Sequence, residues 1–208
     1  MICTIRGLSD NRFRAALETM FEDRKRLFVD LLKWDLTIEQ DCWEKDVFDT
    51  DDAVYLIALD QLGEHIGSMR LLPTVQPHIL STLFSGLCSD GVPTGSTTYE
   101  ITRLCLPVRH GATERLRIRN ALITAMIDHA LEEGIDRLTG VVEMGFLAQI
   151  LTMGWRCERL GRSQRFGGAA LGAFVAHIDT KTPALMADQG VYQNPVVPCR
   201  HLKEAAHG

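Results

Sequence analysis

Thr98-Tyr99-Glu100-Ile101-Thr102-Arg103-Leu104-Cys105-Leu106 is the stretch whose reading decides the fold. Its β-branched and aromatic residues, with Gly95 and Ser96 before it and Pro107 after, predict a strand. Yet a Glu and an Arg stand three residues apart in its middle. On a regular strand, side chains an odd number apart face opposite sides of the sheet. Either Glu100 and Arg103 serve different faces, or a bulge brings both to one, as bulges do beside active sites. An ion pair in the heart of a sheet destabilises it unless something is gained in return.

Working outward, residues 53–59 and 65–72 read as two strands joined across 61–64 in a hairpin. Downstream, a loop at 107–112 leads to a helix over 113–133, with Gly134 in the position of a C′ cap. A strand at 137–143 follows, so 98–143 forms a β-α-β crossover with parallel strands. A short helix over 146–152, a strand at 156–160 and a last strand at 171–178 complete the core. At the other end, a strand at 2–6 precedes Ser9 or Asp10 as N-cap of a helix over 11–33. Residues 73–95 make a long connection with a short helix near 79–87, and connections of that length usually have a function. Residues 180–208 show little periodicity and read as a tail with at most one helical turn. The reading is one three-layer α/β domain over 1–208, with its core over about 1–178, a mixed sheet and helices on both faces.

Length and composition agree with this. The chain has 208 residues, of which 46% are hydrophobic and 24% charged, as expected of one globular domain. A net charge of -5 argues against nucleic acid or a membrane surface as partner. The six cysteines form no C-x-x-C pair, which argues against a zinc site and predicts free thiols in a reducing compartment. No signal peptide or membrane-length apolar run is visible, so a cytoplasmic protein is expected.

Two groups of residues point to chemistry. Arg24 falls on the apolar stripe Phe13, Leu17, Met20, Leu27, Leu31 of the first helix, with Phe28 four residues on. A charge on a core-facing stripe wants a buried acidic partner or a ligand, unless it snorkels to the rim. The acidic segment 34–52 interleaves Trp34, Trp43 and Phe48 with its carboxylates, so part of it folds over something. The second group is Arg109, Arg115, Arg117 and Arg119, opposed only by Glu114 around a glycine-bearing helix start. It reads as a solvated basic face, or as a docking patch for an acidic or phosphorylated partner.

Arg24, Phe28, Trp34, Asp46, Asp49, Arg70, Phe84, Glu100 and Arg103 together resemble the acyl-homoserine-lactone synthases, the LuxI-type autoinducer synthases. The Arg, Phe and Trp of that family's N-terminal region match Arg24, Phe28 and Trp34. Its Glu-x-Asp-x-aromatic-Asp stretch matches Glu44-Lys45-Asp46-Val47-Phe48-Asp49. Its Arg-Leu matches Arg70-Leu71, and its Glu-x-Ser/Thr-Arg matches Glu100-Ile101-Thr102-Arg103. The resemblance spans roughly residues 13–160.

It implies a GNAT-like three-layer α-β-α sandwich with a mixed, mostly antiparallel sheet. It also implies a two-part reaction that makes a quorum-sensing signal. The α-amine of S-adenosylmethionine attacks an acyl thioester of acyl carrier protein or coenzyme A. The methionine carboxylate then displaces methylthioadenosine and closes a lactone. S-adenosylmethionine is a substrate here, and neither a cofactor nor a metal is expected.

Glu100 is the expected base, with Arg103, Asp46 and Asp49 completing the catalytic set. A free α-amine has a pKa of roughly 8, so modest help from a carboxylate suffices. Arg24, Phe28, Trp34, Arg70, Phe84 and Thr102 would bind S-adenosylmethionine. Arg24 and Arg103 would grip carboxylates, either the substrate's or those shaping the pocket. Asp46 and Asp49 suit the ammonium and sulfonium, and the two rings suit adenine or the sulfonium. The acyl pocket is expected from Leu104, Val142, Met144, Phe146, Leu147, Ile150, Leu151, Met153 and Trp155. Donor docking falls to Arg109, Arg115, Arg117 and Arg119.

Family members making 3-oxo products often place Ser or Thr where Glu143 follows Val141-Val142, which argues against a 3-oxo chain. The competing enzyme reading is a GNAT-type N-acyltransferase using acyl-coenzyme A on another amine. It leaves Trp34, Asp46 and Asp49 unexplained. A ligand-sensing module would give Glu100 no reason to sit in the strand.

Overall fold

In the computed structural model, residues 1–193 are described. One sheet orders its strands as β1 (Ile2–Arg6), β4 (Val54–Leu59), β5 (His65–Pro73), β6 (Thr98–Cys105), β7 (Arg137–Glu143), β10 (Ala169–His177) and β8 (Arg156–Arg159), and β9 (Gln164–Phe166) also pairs with β10. A separate short ribbon joins β2 (Ile38–Glu39) to β3 (Trp43–Glu44). Neighbouring strands of the large sheet are antiparallel except β6 and β7. These two are linked through α3 (Ala112–Glu132), the expected crossover. Gly134, at φ +70°, follows α3 in the left-handed region that a C′ glycine reaches without strain.

Alternation along the strands sorts the two faces. Leu56, Leu71, Leu138 and Met69 pack with Ile118, Leu122 and Met126 of α3. Tyr55, Ile57 and Leu72 pack on the opposite face with Leu17, Met20 and Phe21 of α1 (Arg14–Arg24). Each such buried side chain contributes about 1.5–3 kcal/mol.

Two irregularities place the site. First, Arg70 of β5 faces Thr102 while Ser68 faces Cys105, so two residues on β5 span three on β6. Arg103 is the extra residue, at φ +52°. Of the two alternatives for this strand, the bulge is the one found. Ile101 and Leu104 consequently pack on the same, α3-covered face although they are three apart. Glu100, Thr102 and Arg103 all serve the other side. A left-handed non-glycine residue costs about 1–2 kcal/mol, a strain that collects at functional sites.

Second, the parallel pairing of β6 with β7 ends at Ile101 and Gly140, after which β7 stays paired only to β10. Gly140 lets the strands cross closely, because a Cβ there would stand 3.1 Å from the carbonyl oxygen of Ile101. Beyond that crossing the strands part.

Several sequence expectations change. The helix over 11–33 is a 3-10 turn at Asn11–Phe13, then α1, then a π-helix at Lys25–Leu31. π-helical turns are rare and cluster at functional sites, and an apolar stripe spaced by threes and fours does not separate α from π winding. The connection over 73–95 holds α2 (Ile79–Leu83) and a 3-10 turn at Ser85–Leu87. Between β7 and β8 lies α4 (Met144–Ile150). The stretch read as a tail begins with α5 (Thr182–Asp188), whose Met186 is fully buried in the core beneath α3. Tyr192 continues that packing, its hydroxyl donating to Asp128 at 2.6 Å. The remainder of that stretch, with Cys199, lies outside the described residues. No helix among the described residues is long and apolar enough to cross a membrane.

Candidate active site

The charged residues of the acidic segment and the strands form one closed frame. Arg24 leaves the end of α1, where the winding widens into the π-helix. Its Nε donates to Glu44 Oε2 at 2.6 Å, and Nη1 and Nη2 donate to the two oxygens of Asp49 at 2.9 and 3.0 Å. Arg70 donates Nη1 and Nη2 to Asp46 at 2.7 and 3.0 Å, and its Nε to Thr102 Oγ1 at 3.0 Å. The same Nη1 stands 2.7 Å from Asp49. Arg103, carried by the bulge, donates to Glu44 at 3.0 Å and to Asp46 at 2.7 Å. Tyr55 completes the set by donating its hydroxyl to Asp49 at 2.9 Å.

Three guanidiniums thus meet three carboxylates in forked geometry, and their charges cancel. Burial alone would push the Asp49 carboxyl up, but Arg24 and Arg70 overcome it and hold the group well below the ordinary range. Burial likewise opposes charge on Arg24, yet Asp49 and Glu44 leave that guanidinium more firmly protonated than usual. Arg24 therefore binds pocket-shaping carboxylates. It is 1% exposed. Asp49 is equally enclosed, and its oxygens are occupied by Arg24, Arg70, Tyr55 and the Asp46 N–H. Asp46 and Arg103 stand at the rim, with side chains 14% and 10% exposed.

Beside this frame, Phe28 and Trp34 stack with centroids 5.0 Å apart, and the Arg103 guanidinium lies 5.7 Å from the Phe28 ring. The Trp34 N–H donates to the Phe28 carbonyl at 2.9 Å, which closes the turn after the π-helix.

Glu100 is buried on the same face, behind Thr102. Its Oε1 accepts the Leu80 N–H at 3.0 Å, from the first turn of α2, and its Oε2 has no partner. Burial pushes this carboxyl up to about 7, only partly offset by the Leu80 N–H and Arg70. Glu100 and Arg103 are not paired with each other; each has partners of its own.

Where β6 and β7 part, a cavity of about 420 Å³ opens, an ordinary size for a small-molecule site. Phe28, Trp34, Thr102 and Arg103 line it near the frame; Ile150, Met153, Trp155 and Phe174 line it in the core. Of the expected acyl-pocket residues, Leu104, Val142, Phe146, Ile150, Met153 and Trp155 are on its wall. Met144 and Leu147 instead approach Gly172 of β10, and Leu151 packs on the core cluster. Phe84 is also off this wall, set edge-on to Phe166 at 4.9 Å. Ile101, Met126 and Glu143 line the cavity without having been singled out as acyl-pocket residues. Ile101 was readable from the strand pattern once the bulge is known, but Met126 depends on where α3 crosses.

The four basic residues near α3 do not act as one patch. Arg109 donates to both oxygens of Asp23 at 2.7 and 2.9 Å, and to the His65 carbonyl. Asp23 also contacts His65 Nδ1 at 2.7 Å, so this buried carboxylate straps the β6–α3 loop to α1. The sequence held no sign of that strut beyond a charge near a helix end. Arg117 pairs with Glu114 at 2.6 Å. Arg119 bonds Asn120 at 3.0 Å and Gln149 at 3.4 Å. Arg115 alone lines the cavity, and its buried Nε has no partner.

Comparison with known proteins agrees with this geometry. A family model described as autoinducer synthase matches residues 9–184. An acyl-homoserine-lactone synthase of Rhizobium etli is 34% identical over 154 residues, covering 73% of this chain and 72% of the relative. Among solved structures, the coenzyme-A-dependent acyl-homoserine lactone synthase BjaI, in complex with SAM and isopentyl-CoA, superposes with a TM-score of 0.82 at 26% identity, covering 95% of this chain and 92% of that one. An acyl-CoA N-acyltransferase from Pseudomonas aeruginosa shares the fold alone, with a TM-score of 0.59 at 13% identity over 86% of this chain and 99% of that one. The expected GNAT-like sandwich is the fold found.

Proposed function

The chain belongs to the autoinducer synthase family, enzymes of the acyltransferase class, and from that premise we propose how its residues divide the work. S-adenosylmethionine lies against the stacked Phe28 and Trp34, with its sulfonium near the rings. Its carboxylate meets Arg103 at the rim, and its ammonium faces Asp46. The acyl thioester enters between β6 and β7 and lays its chain in the apolar cavity. The amine attacks the thioester carbonyl and forms the amide bond while the thiolate leaves. Glu100, poised near neutral pH, takes the amine's proton through an intervening water past Thr102. The methionine carboxylate oxygen then attacks the γ-carbon that bears the sulfonium, and the C–S bond breaks, so methylthioadenosine leaves as the lactone closes. That step starts from a good leaving group and needs mainly conformation and dryness. Arg24, Arg70, Glu44 and Asp49 hold the frame without touching substrate.

The observation that carries this reading is the convergence of Thr102 and Arg103 on the mouth of the strand split. For the donor, Arg109 and Arg117 already have acidic partners, which leaves Arg115 and Arg119, among the described residues, as the two of the four without one. Arg115 keeps a donor on the cavity wall, which suits a phosphate of coenzyme A. The test is incubation with S-adenosylmethionine and a panel of acyl-coenzyme A and acyl carrier protein thioesters, followed by mass spectrometry. Methylthioadenosine and an acyl-homoserine lactone are expected with coenzyme A donors. Methylthioadenosine absent with every donor overturns the reaction; release with carrier protein alone overturns the donor. Arg115→Glu should raise KM for the coenzyme A donor, while Arg117→Glu should leave it unchanged.

A further inference from the structure

Asp23 and Arg24 are neighbours at the end of α1 and reach to different places. Arg24 builds the frame with Glu44 and Asp49. Asp23, only 2% exposed, builds a second buried cluster outside the frame. Its Oδ2 stands 2.7 Å from His65 Nδ1, and the other ring nitrogen is buried with no partner among the described residues. Burial disfavours charge on His65, so the ring is neutral and its one proton belongs on Nδ1, where Asp23 accepts it. Burial also pushes the Asp23 carboxyl up, but the hydrogen bonds of His65 and Arg109 more than offset this and keep it ionised. Two guanidiniums therefore balance that buried charge. Arg26, 63% exposed on the same stretch of helix, meets Oδ1 at 3.0 Å. Arg109 forks onto both oxygens from the β6–α3 loop and donates to the His65 carbonyl as well. Among the described residues, the other hydrogen bonds of loop residues 107–111 are local. The His110 N–H donates to the Pro107 carbonyl at 3.2 Å, and the Arg115 N–H to the Gly111 carbonyl at 3.0 Å. Drawing the loop away from α1 would deprive a buried carboxylate of its forked cation.

We infer that Asp23 is a positioning residue for the acyl donor: through Arg109 it fixes the turn and the start of α3 from which Arg115 reaches the cavity wall. This rests on the donor reading proposed above and deepens it by assigning what holds Arg115 in place. Neither Asp23 nor Arg109 lines the cavity, so the effect passes through the loop backbone and not through contact with substrate. The charge of Asp23 is what matters. A neutral side chain there would release Arg109, whose side chain is already 44% exposed, to turn into water, and the loop would lose its tie to α1. One helix end thus anchors both halves of the site, the frame through Arg24 and the donor loop through Asp23.

The experiment is steady-state kinetics with S-adenosylmethionine and the acyl-coenzyme A thioester that the wild type uses best. Asp23→Asn removes the charge, and Arg109→Gln breaks the tie from the loop side. The second variant leaves Asp23 with His65 and Arg26, and so serves where the first fails to fold. Both should raise KM for the donor by about five- to tenfold, the loss of one charged hydrogen-bonded contact, with kcat and KM for S-adenosylmethionine within about twofold of wild type. Arg26→Gln takes a cation from the same carboxylate without touching the loop, and should leave the donor KM unchanged. If Arg109 acts through Arg115, the double variant Arg109→Gln/Arg115→Met should be no worse than Arg115→Met alone. A merely structural role would lower the active fraction and leave both KM values alone. A donor KM unchanged in soluble Arg109→Gln, or two effects that multiply in the double variant, overturns the inference with the reaction intact. Turnover with carrier-protein thioesters alone overturns the donor reading, and no lactone with any donor overturns the reaction; in either case the inference falls with it.

Discussion

The charged frame and the apolar cavity meet at Thr102 and Arg103, yet they are built on opposite rules. In the frame, every guanidinium is forked onto carboxylates, and no group there can move without stranding a buried charge. In the cavity the walls are largely apolar, contacts are non-directional, and a change of volume at one residue is tolerated at a graded cost. Chemistry common to a family belongs on the first kind of surface and selection among similar chains on the second. The bulge at Arg103 joins them, since its side chain closes the frame while the same residue lines the cavity.

That contrast breaks if a frame residue can be removed cheaply. Arg24→Met leaves Glu44 and Asp49 without their main partner and should lower stability by about 3–5 kcal/mol, read as a shift in denaturant midpoint. A loss below about 1 kcal/mol would mean that the frame is loosely held. Cavity substitutions such as Ile150→Val should cost only about 0.5–1.5 kcal/mol.

Glu100 sharpens the comparison, being a buried carboxylate outside the frame. Its folded-state pKa, about 7, lies above the ordinary value of 4.5. A raised carboxyl favours the folded state below its unfolded pKa, and that advantage is lost as pH rises through the folded pKa. Ionised Glu100 therefore costs roughly 3 kcal/mol above neutrality. Glu100→Gln should be more stable than wild type at pH 8 by about that amount, with the difference gone near pH 4. Equal melting temperatures at pH 8 would show the carboxyl to be well solvated. A smaller effect is expected at the mouth. Phe28→Leu removes the stacked ring and the cation–π contact with Arg103, and should raise KM for S-adenosylmethionine several-fold, about 1 kcal/mol.

Much of this was legible beforehand. The parity of Glu100 and Arg103 left a choice between opposite faces and a bulge, and the structure has the bulge. Arg24 on an apolar stripe called for a buried acid or a ligand unless it snorkelled to the rim, and Glu44 and Asp49 are its buried acids. The family resemblance grouped Asp46, Arg70 and Thr102, and they lie together in the structure. Other features were not legible, for reasons of physics. α and π winding share the same apolar stripe, so the widening after Arg24 was hidden. α5 is seven residues long and had too few turns to show a period. β9 is three residues long and exists through its pairing with β10. Basic residues near α3 looked alike in sequence, but only tertiary contact separates the strut Arg109 from Arg115 on the cavity wall. Phe84 and Glu100 depend on where α2 folds back, a long-range placement that local pattern does not encode.

The claim that frame and cavity meet so that Glu100 can act as base is tested most directly by Glu100→Gln at saturating substrates. Calorimetry should find S-adenosylmethionine bound within a few-fold of wild-type affinity, because Gln can still accept the Leu80 N–H and the frame is untouched. Methylthioadenosine release should fall by about 10²–10⁴-fold, the range for loss of a general base. Binding lost with turnover of the bound fraction intact would contradict the account.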